Sequence, residues 1–167
     1  MPPAERRTGR AAGFTLIEVL VVLAVLGVLA AAARPLLELA TLRHKEATLR
    51  EGLRQLRGAI DAYEQAVARG EVQRPAGAEP GLPVYPASLT LLVEGAPVSA
   101  AEDAPRRRFL RRLPRDPFAE PTLPAADTWS TRASDSGPDA PRAGRDVFDV
   151  ASRHEGVALD GTRYAEW

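Results

Sequence analysis

Apolar and polar positions divide the chain into three stretches of different character. From Phe14 to Ala33, twenty residues carry a single ionisable group, Glu18. About twenty mostly apolar residues are what a helix needs to cross a hydrocarbon core, so a transmembrane helix is predicted over 14–34. A carboxylate in such a span costs roughly 3 kcal/mol at the bilayer centre and less near an interface, so Glu18 requires a cationic partner. Pro35 then withdraws one backbone donor and predicts a helix kink. Beyond it Leu49, Leu53, Leu56, Ile60, Tyr63 and Val67 recur at spacings of four, three, four, three and four, which gives a helix one buried stripe. The amphipathic part is placed at 35–69, with Arg43, His44, Lys45, Glu46, Arg50, Glu51, Arg54 and Arg57 on its solvated faces. A coiled-coil dimer would use the same stripe, but the register lasts only about three heptads before Gly70. Packing against the chain's own sheet is therefore expected.

The remainder, 70–167, is predicted to be one small loop-rich domain. Most of the fifteen prolines and thirteen glycines lie after Arg69, a composition of turns and short strands. Gly70 to Pro83 reads as a connector, and Ala87 to Gly95 as a short helix whose Leu89, Leu92 and Val93 share a face. Strand candidates are Asp127 to Ala133, Arg145 to Ala151 and a final segment ending Tyr164-Ala165-Glu166-Trp167, with a loop over Ser134 to Gly144. Trp167 is expected to fold back as an anchor. The fold class is thus α+β, a long N-terminal transmembrane and amphipathic helix followed by a small antiparallel β-sheet domain.

Charge is balanced at 22 basic and 22 acidic residues, which gives no argument for an acidic partner. Five arginines lie between Arg106 and Arg112, around Phe109-Leu110. Clustered arginine invites phosphate, but no glycine-rich anion loop or aromatic stacking series accompanies it. They are read as exposed side chains that could meet acidic faces of neighbouring subunits, and no nucleic acid is expected as a partner. With no cysteine and only His44 and His154, no nucleophilic triad can be assembled, and the chain is not expected to be an enzyme.

The string Gly13-Phe14-Thr15-Leu16-Ile17-Glu18 changes the picture most. An ordinary secretory signal would use Arg6, Arg7 and Arg10 as its positive region, Val19 to Ala33 as its apolar region and Ala31-Ala32-Ala33 for cleavage. Such a signal has no reason to carry Glu18 or the string around it. The pattern resembles the class III signal of type IV pilins and of type II secretion pseudopilins. The resemblance implies a leader of residues 1–13, removed by a prepilin peptidase after Gly13, and methylation of the new terminal Phe14. It also implies that Glu18 pairs with the terminal ammonium of a neighbouring subunit, and that the helix bends or loosens at Pro35 during assembly. The leader arginines fit the positive-inside rule. The implied location is the bacterial inner membrane, crossed once, with the C-terminal domain in the periplasm.

A second resemblance is independent of the first. Tyr85-Pro86 before a short helix, and Phe109-Leu110-Arg111-Arg112-Leu113-Pro114 followed by Asp116-Pro117-Phe118, are similar to segments of the major, G-type pseudopilins. The implied function is polymerisation into the periplasmic pseudopilus of a type II secretion system, which promotes protein export across the outer membrane. The implied partners are further copies of the chain, other pseudopilins, the prepilin peptidase and the inner-membrane secretion platform. The alternatives are a type IV pilin for attachment, motility or DNA uptake, and a membrane-anchored periplasmic binding module that never polymerises. Many adhesive type IV pilins close a carboxy-terminal loop with a disulfide, which this cysteine-free chain cannot form. G-type pseudopilins commonly hold Ca²⁺ before their carboxy-terminal aromatic. The matching stretch, Asp149 to Thr162, offers Ser152, Glu155 and Asp160 as candidate ligands but lacks the adjacent Asp pair and has Arg153 and Arg163 at hand. Calcium needs six to eight oxygens, so no cofactor is expected, and Asp160-Gly161 is read as a turn whose carboxylate caps backbone amides.

Overall fold

The computed structural model describes residues 13–137 and 140–167, with only the backbone of Ala32. The predicted leader lies outside the described residues except for Gly13. The chain divides into two compact units, one ending at Thr41 and one spanning Leu42–Trp167. Helix α1, Leu16–Ala68, contributes to both.

Among the described residues of the first unit α1 is the only regular element, and the apolar side chains there are exposed, Phe14 just before it at 81 % and Leu16 at 80 %. The backbone stays helical on both sides of Pro35. A polar helix would need no cover, but this one leaves a continuous apolar surface that water does not favour.

In the second unit the whole predicted stripe is buried, from Leu49 and Leu56 at 0 % to Val67 at 5 % exposure. Ala59 and Ala66 widen it. The helix stops through a Schellman arrangement: Gly70 takes φ +70°, its N–H donates to Val67 O at 3.1 Å, and Glu71 N–H donates to Ala66 O at 2.9 Å. Helix α2, Leu89–Glu94, is capped by Ser88, whose hydroxyl accepts from Leu91 N–H, and ends at Gly95 with φ 90°. A Cβ on Gly95 would stand 3.0 Å from Arg107 O, so this turn requires glycine on both counts. Leu89 and Leu92 of α2 join the core, together with Trp129, Val147, Val150 and Tyr164.

The strands form two antiparallel pairs rather than one sheet. Strands β1, Ala96–Pro97, and β2, Arg106–Arg107, pair as Ala96 with Arg107 and Pro97 with Arg106. Strands β3, Trp129–Arg132, and β4, Asp149–Ser152, pair from Trp129 with Ser152 to Arg132 with Asp149. Both predicted strands in this region are trimmed. Ala125–Thr128 is a 3₁₀ turn leading into β3, and β4 starts only at Asp149, since Val147 N–H is drawn off to Pro86 O at 2.8 Å. The predicted final strand is instead a 3₁₀ turn, Tyr164–Glu166. Its tight curl lets Tyr164 and Trp167 lie edge to face, with ring centroids 5.0 Å apart, which an extended segment with alternating sides would not allow.

Glu46 corrects the reading of α1's polar faces, because it is 6 % exposed. Its Oε1 accepts from the Tyr164 hydroxyl at 3.0 Å and from Leu159 N–H at 2.8 Å. The stripe is thus extended by one turn with a carboxylate whose partners come from the end of the chain.

Trp129 is fully buried over Gly52, and its indole N–H donates to Pro114 O at 2.9 Å. Trp129→Ala removes the largest core side chain and leaves that carbonyl without its donor. A loss of about 3–5 kcal/mol is expected, seen as a lower urea midpoint when helical circular dichroism is followed.

Candidate functional site

The amino-terminal site is built by the start of α1. Gly13, Phe14 and Thr15 precede the helix, and Thr15 caps it: Glu18 N–H donates to Thr15 Oγ1 and Val19 N–H to Thr15 O, both at 3.3 Å. Thr15-Leu16-Ile17-Glu18 has the spacing of a capping box, so part of this motif serves to start the helix at a fixed residue. That role was legible in the Thr-x-x-Glu spacing but was not drawn from it. Glu18 stands in the first turn, where the helix dipole favours an anion. Its carboxylate is exposed and makes no hydrogen bond or ion pair among the described residues. Gly13 and Phe14, the predicted cleavage position, are both exposed, and a Cβ on Gly13 would meet nothing within 4 Å.

The second candidate site, the loop before the carboxy terminus, is held by α1. Glu46, Arg50 and Arg57 lie four and seven residues apart and therefore on one face. Arg50 Nη2 meets Asp160 Oδ2 at 2.9 Å, and its guanidinium lies 4.1 Å from the Trp167 ring centre. Arg57 donates to Asp149 Oδ1 at 2.8 Å, Val150 O at 2.9 Å and Trp167 O at 2.6 Å. Trp167 closes the loop by donating from its indole N–H to Thr162 Oγ1 at 2.6 Å. Tyr164, buried beneath, has its hydroxyl pushed up to about 12 by loss of water and by the Glu46 carboxylate it donates to.

The calcium candidates are not brought together by this loop. Ser152, 1 % exposed, donates to Asp116 and accepts from His154 N–H at 3.0 Å. Glu155 is exposed. Asp160 accepts from Thr162 N–H at 3.0 Å and Thr162 Oγ1 at 2.6 Å, and these bonds, with Arg50 nearby, hold its carboxyl below the usual range. Gly161 turns the chain there with φ +86°. Among the described residues no three His, Cys, Asp or Glu side chains form a metal-holding group. With one candidate spent inside the protein and another paired to a guanidinium, the donor set does not fit calcium.

The string ending Asp116-Pro117-Phe118 proves to be a buried fastening. Asp116 is 3 % exposed; it accepts from Phe118 N–H at 2.8 Å and from Ser152, while its own N–H donates to Thr128 Oγ1 at 3.2 Å. Phe118 stacks on His154 at 4.9 Å and lies tilted against Tyr164 at 4.5 Å. His154, in the loop after β4, is therefore part of an aromatic pile. The arginines from Arg106 to Arg112 are exposed, as expected, and Arg107 pairs with Glu71.

A family model described as the prokaryotic N-terminal methylation motif matches residues 9–33. That match supports the type IV pilin-like class, with one apolar helix near the amino terminus long enough to cross a membrane. Neither curated proteins nor solved structures gave a match to the chain.

Because arginines and hydrogen bonds already hold the loop, chelator should not unfold it. A ligand that binds only the folded state adds about 2.7 kcal/mol at a hundred times its dissociation constant. The melting temperature of the Leu42–Trp167 unit should differ little between excess chelator and millimolar calcium. A calcium-dependent rise abolished by Asp160→Ala would show a metal site.

Proposed function

We propose that the chain is a pseudopilin subunit of a type II secretion system, resembling the major, G-type members. The observation that carries this reading is the methylation motif with Glu18 in its place, exposed and without a partner among the described residues. Cleavage after Gly13 removes three arginines and one glutamate and leaves the mature chain two units negative. It also creates an ammonium at Phe14. In a medium of low dielectric a carboxylate and an ammonium on adjacent subunits attract strongly, and each relieves the other's desolvation. Association and charge satisfaction become one event.

The apolar surface of the first unit is covered by lipid in the single subunit and by other copies in the fibre, with Pro35 as the place where the helix loosens on transfer. The Leu42–Trp167 unit lies in the periplasm. The fibre extends from the inner-membrane platform and drives folded proteins towards the outer membrane. The chain is a structural subunit and a substrate of the prepilin peptidase, not an enzyme. The second resemblance, ending in Asp116-Pro117-Phe118, favours secretion over a surface pilus, and deleting the gene should abolish export of a secreted protein while leaving twitching intact.

Intact mass of the membrane-extracted protein should show a chain beginning at N-methylated Phe14, and replacing Gly13 should leave the precursor uncut. A mature terminus after Ala33 would refute the proposal.

Glu18→Ala removes a charge that costs up to roughly 3 kcal/mol in lipid, so insertion of the single subunit should be unharmed. Cysteine crosslinking between subunits and export of the secreted protein should both be lost. Normal fibres from this variant would mean that the carboxylate has no part in assembly.

A further inference from the structure

The segment from β4 to Trp167 is closed by cations that come from one face of α1. Arg50 and Arg57 stand two helical turns apart, and both reach Trp167: the Arg50 guanidinium lies 4.1 Å from its ring centre, and Arg57 Nη2 donates to its main-chain oxygen at 2.6 Å. Arg57 donates as well from Nε to Asp149 Oδ1 at 2.8 Å and from Nη2 to Val150 O at 2.9 Å. One guanidinium thus gathers a carboxylate oxygen and two main-chain oxygens, from the first two residues of β4 and from Trp167.

Carboxylates and main-chain carbonyls are also what calcium collects, but the number and charge of these oxygens suit a different cation. Calcium carries two charges and takes six to eight oxygens, usually several of them from carboxylates. Here one carboxylate and two main-chain oxygens converge, and the second oxygen of Asp149 faces Arg132 at 3.5 Å. Of the other carboxylates in this stretch, Glu155 is exposed and Asp160 meets Arg50 at 2.9 Å. A guanidinium has a single charge and five N–H donors in a planar fork, which matches one carboxylate flanked by neutral acceptors.

We propose that the Arg57 guanidinium is the resident cation of the carboxy-terminal segment, taking the role that the G-type resemblance gives to calcium. Arg57 and Asp149 keep 40 % and 31 % of their side-chain surface in water, so their ion pair alone is screened and contributes little. The closing effect comes from three acceptors held by one group, which ties the two ends of the segment to the same helix position. A metal would stabilise the closed loop only in proportion to its supply, by mass action. An attached guanidinium is always present, so closure is independent of any ion in solution and depends on one residue. This holds whether the amino-terminal helix serves secretion, a pilus or a simple anchor.

The test follows hydrogen exchange in the full chain in non-ionic detergent. The amides of Ala158, Leu159 and Tyr164 report the loop, since they donate to Thr162 O, Glu46 Oε1 and Gly156 O. Those of Phe109 and Leu110, which both donate to Leu92 O, report the rest of the unit. Arg57→Ala should speed exchange of the first three at least about tenfold, the worth of one hydrogen bond to a charged group, and leave the other two protected. Guanidinium chloride at millimolar concentration, far below what unfolds a protein, should restore part of the lost protection. Tetramethylammonium, with the same charge and no N–H donor, should not. If Arg57→Ala also deprotects Phe109 and Leu110, the unit has unfolded and Arg57→Lys takes its place. Its ammonium keeps the charge without the fork, so exchange at the three loop amides should still rise, by a smaller factor, with Phe109 and Leu110 unchanged. Exchange like that of the parent in these variants, or equal rescue by the two cations, would overturn the proposal.

Discussion

One apolar stripe on one helix organises the second unit. Its sheets contain only two strands each, and two-stranded pairs are marginal in water unless they pack against something larger. The face running from Leu49 to Val67 is that larger surface, and α2, Trp129, Val147, Val150 and Tyr164 all bury against it or against one another. Each element is too short to be stable alone. Their positions follow from the helix, which explains why irregular segments can be placed with so few strand hydrogen bonds.

A domain of this size without disulfides must fix its loops in another way, and the helix supplies that as well. Glu46, Arg50 and Arg57 reach Tyr164, Leu159, Asp160, Asp149 and the terminal Trp167. Individually, half-exposed ion pairs such as Arg50 with Asp160 are screened by water and contribute little. The buried members matter more, because removing Glu46 would strand a buried tyrosine hydroxyl and a backbone amide at about 1–3 kcal/mol each. Asp116 does the same for the opposite side of this region, joining Phe118, Thr128 and Ser152 around one carboxylate.

The periodic parts of this arrangement were legible and the non-periodic parts were not. Leu49 to Val67, the stop at Gly70, the short helix around Leu89 and Leu92, and the Asp160-Gly161 turn all follow from local spacing or local chemistry. Glu46 was misread because a carboxylate on a helix is normally solvated, and only the tertiary fold could bring Tyr164 and Leu159 to it. The final segment was misread as a strand because Tyr164 and Trp167 suit strands, whereas their joint packing needed a 3₁₀ turn. Pairing of Ala96-Pro97 with Arg106-Arg107 carried no hydrophobic alternation and left no signal. At the amino-terminal site the residues were legible by resemblance, but the capping role of Thr15 was visible only in a spacing that had been assigned to processing alone.

The two units solve opposite problems with the same helix. From Leu42 onward, the helix buries its apolar face within the chain and keeps its charges at the edges, so the unit can stand in water. Before Thr41 the described apolar side chains stay exposed, and on the proposed function lipid or other subunits cover them. Purely apolar cover would make the choice between those two environments weak, because lipid tails and apolar side chains are nearly equivalent neighbours. Glu18 breaks that equivalence. A carboxylate is disfavoured in hydrocarbon, and on the proposed function a partner ammonium on another copy relieves the penalty where lipid cannot. In the proposed subunit, one ionisable residue in a twenty-residue apolar span would bias the helix towards its own kind, while the surrounding residues would keep it in the membrane until assembly.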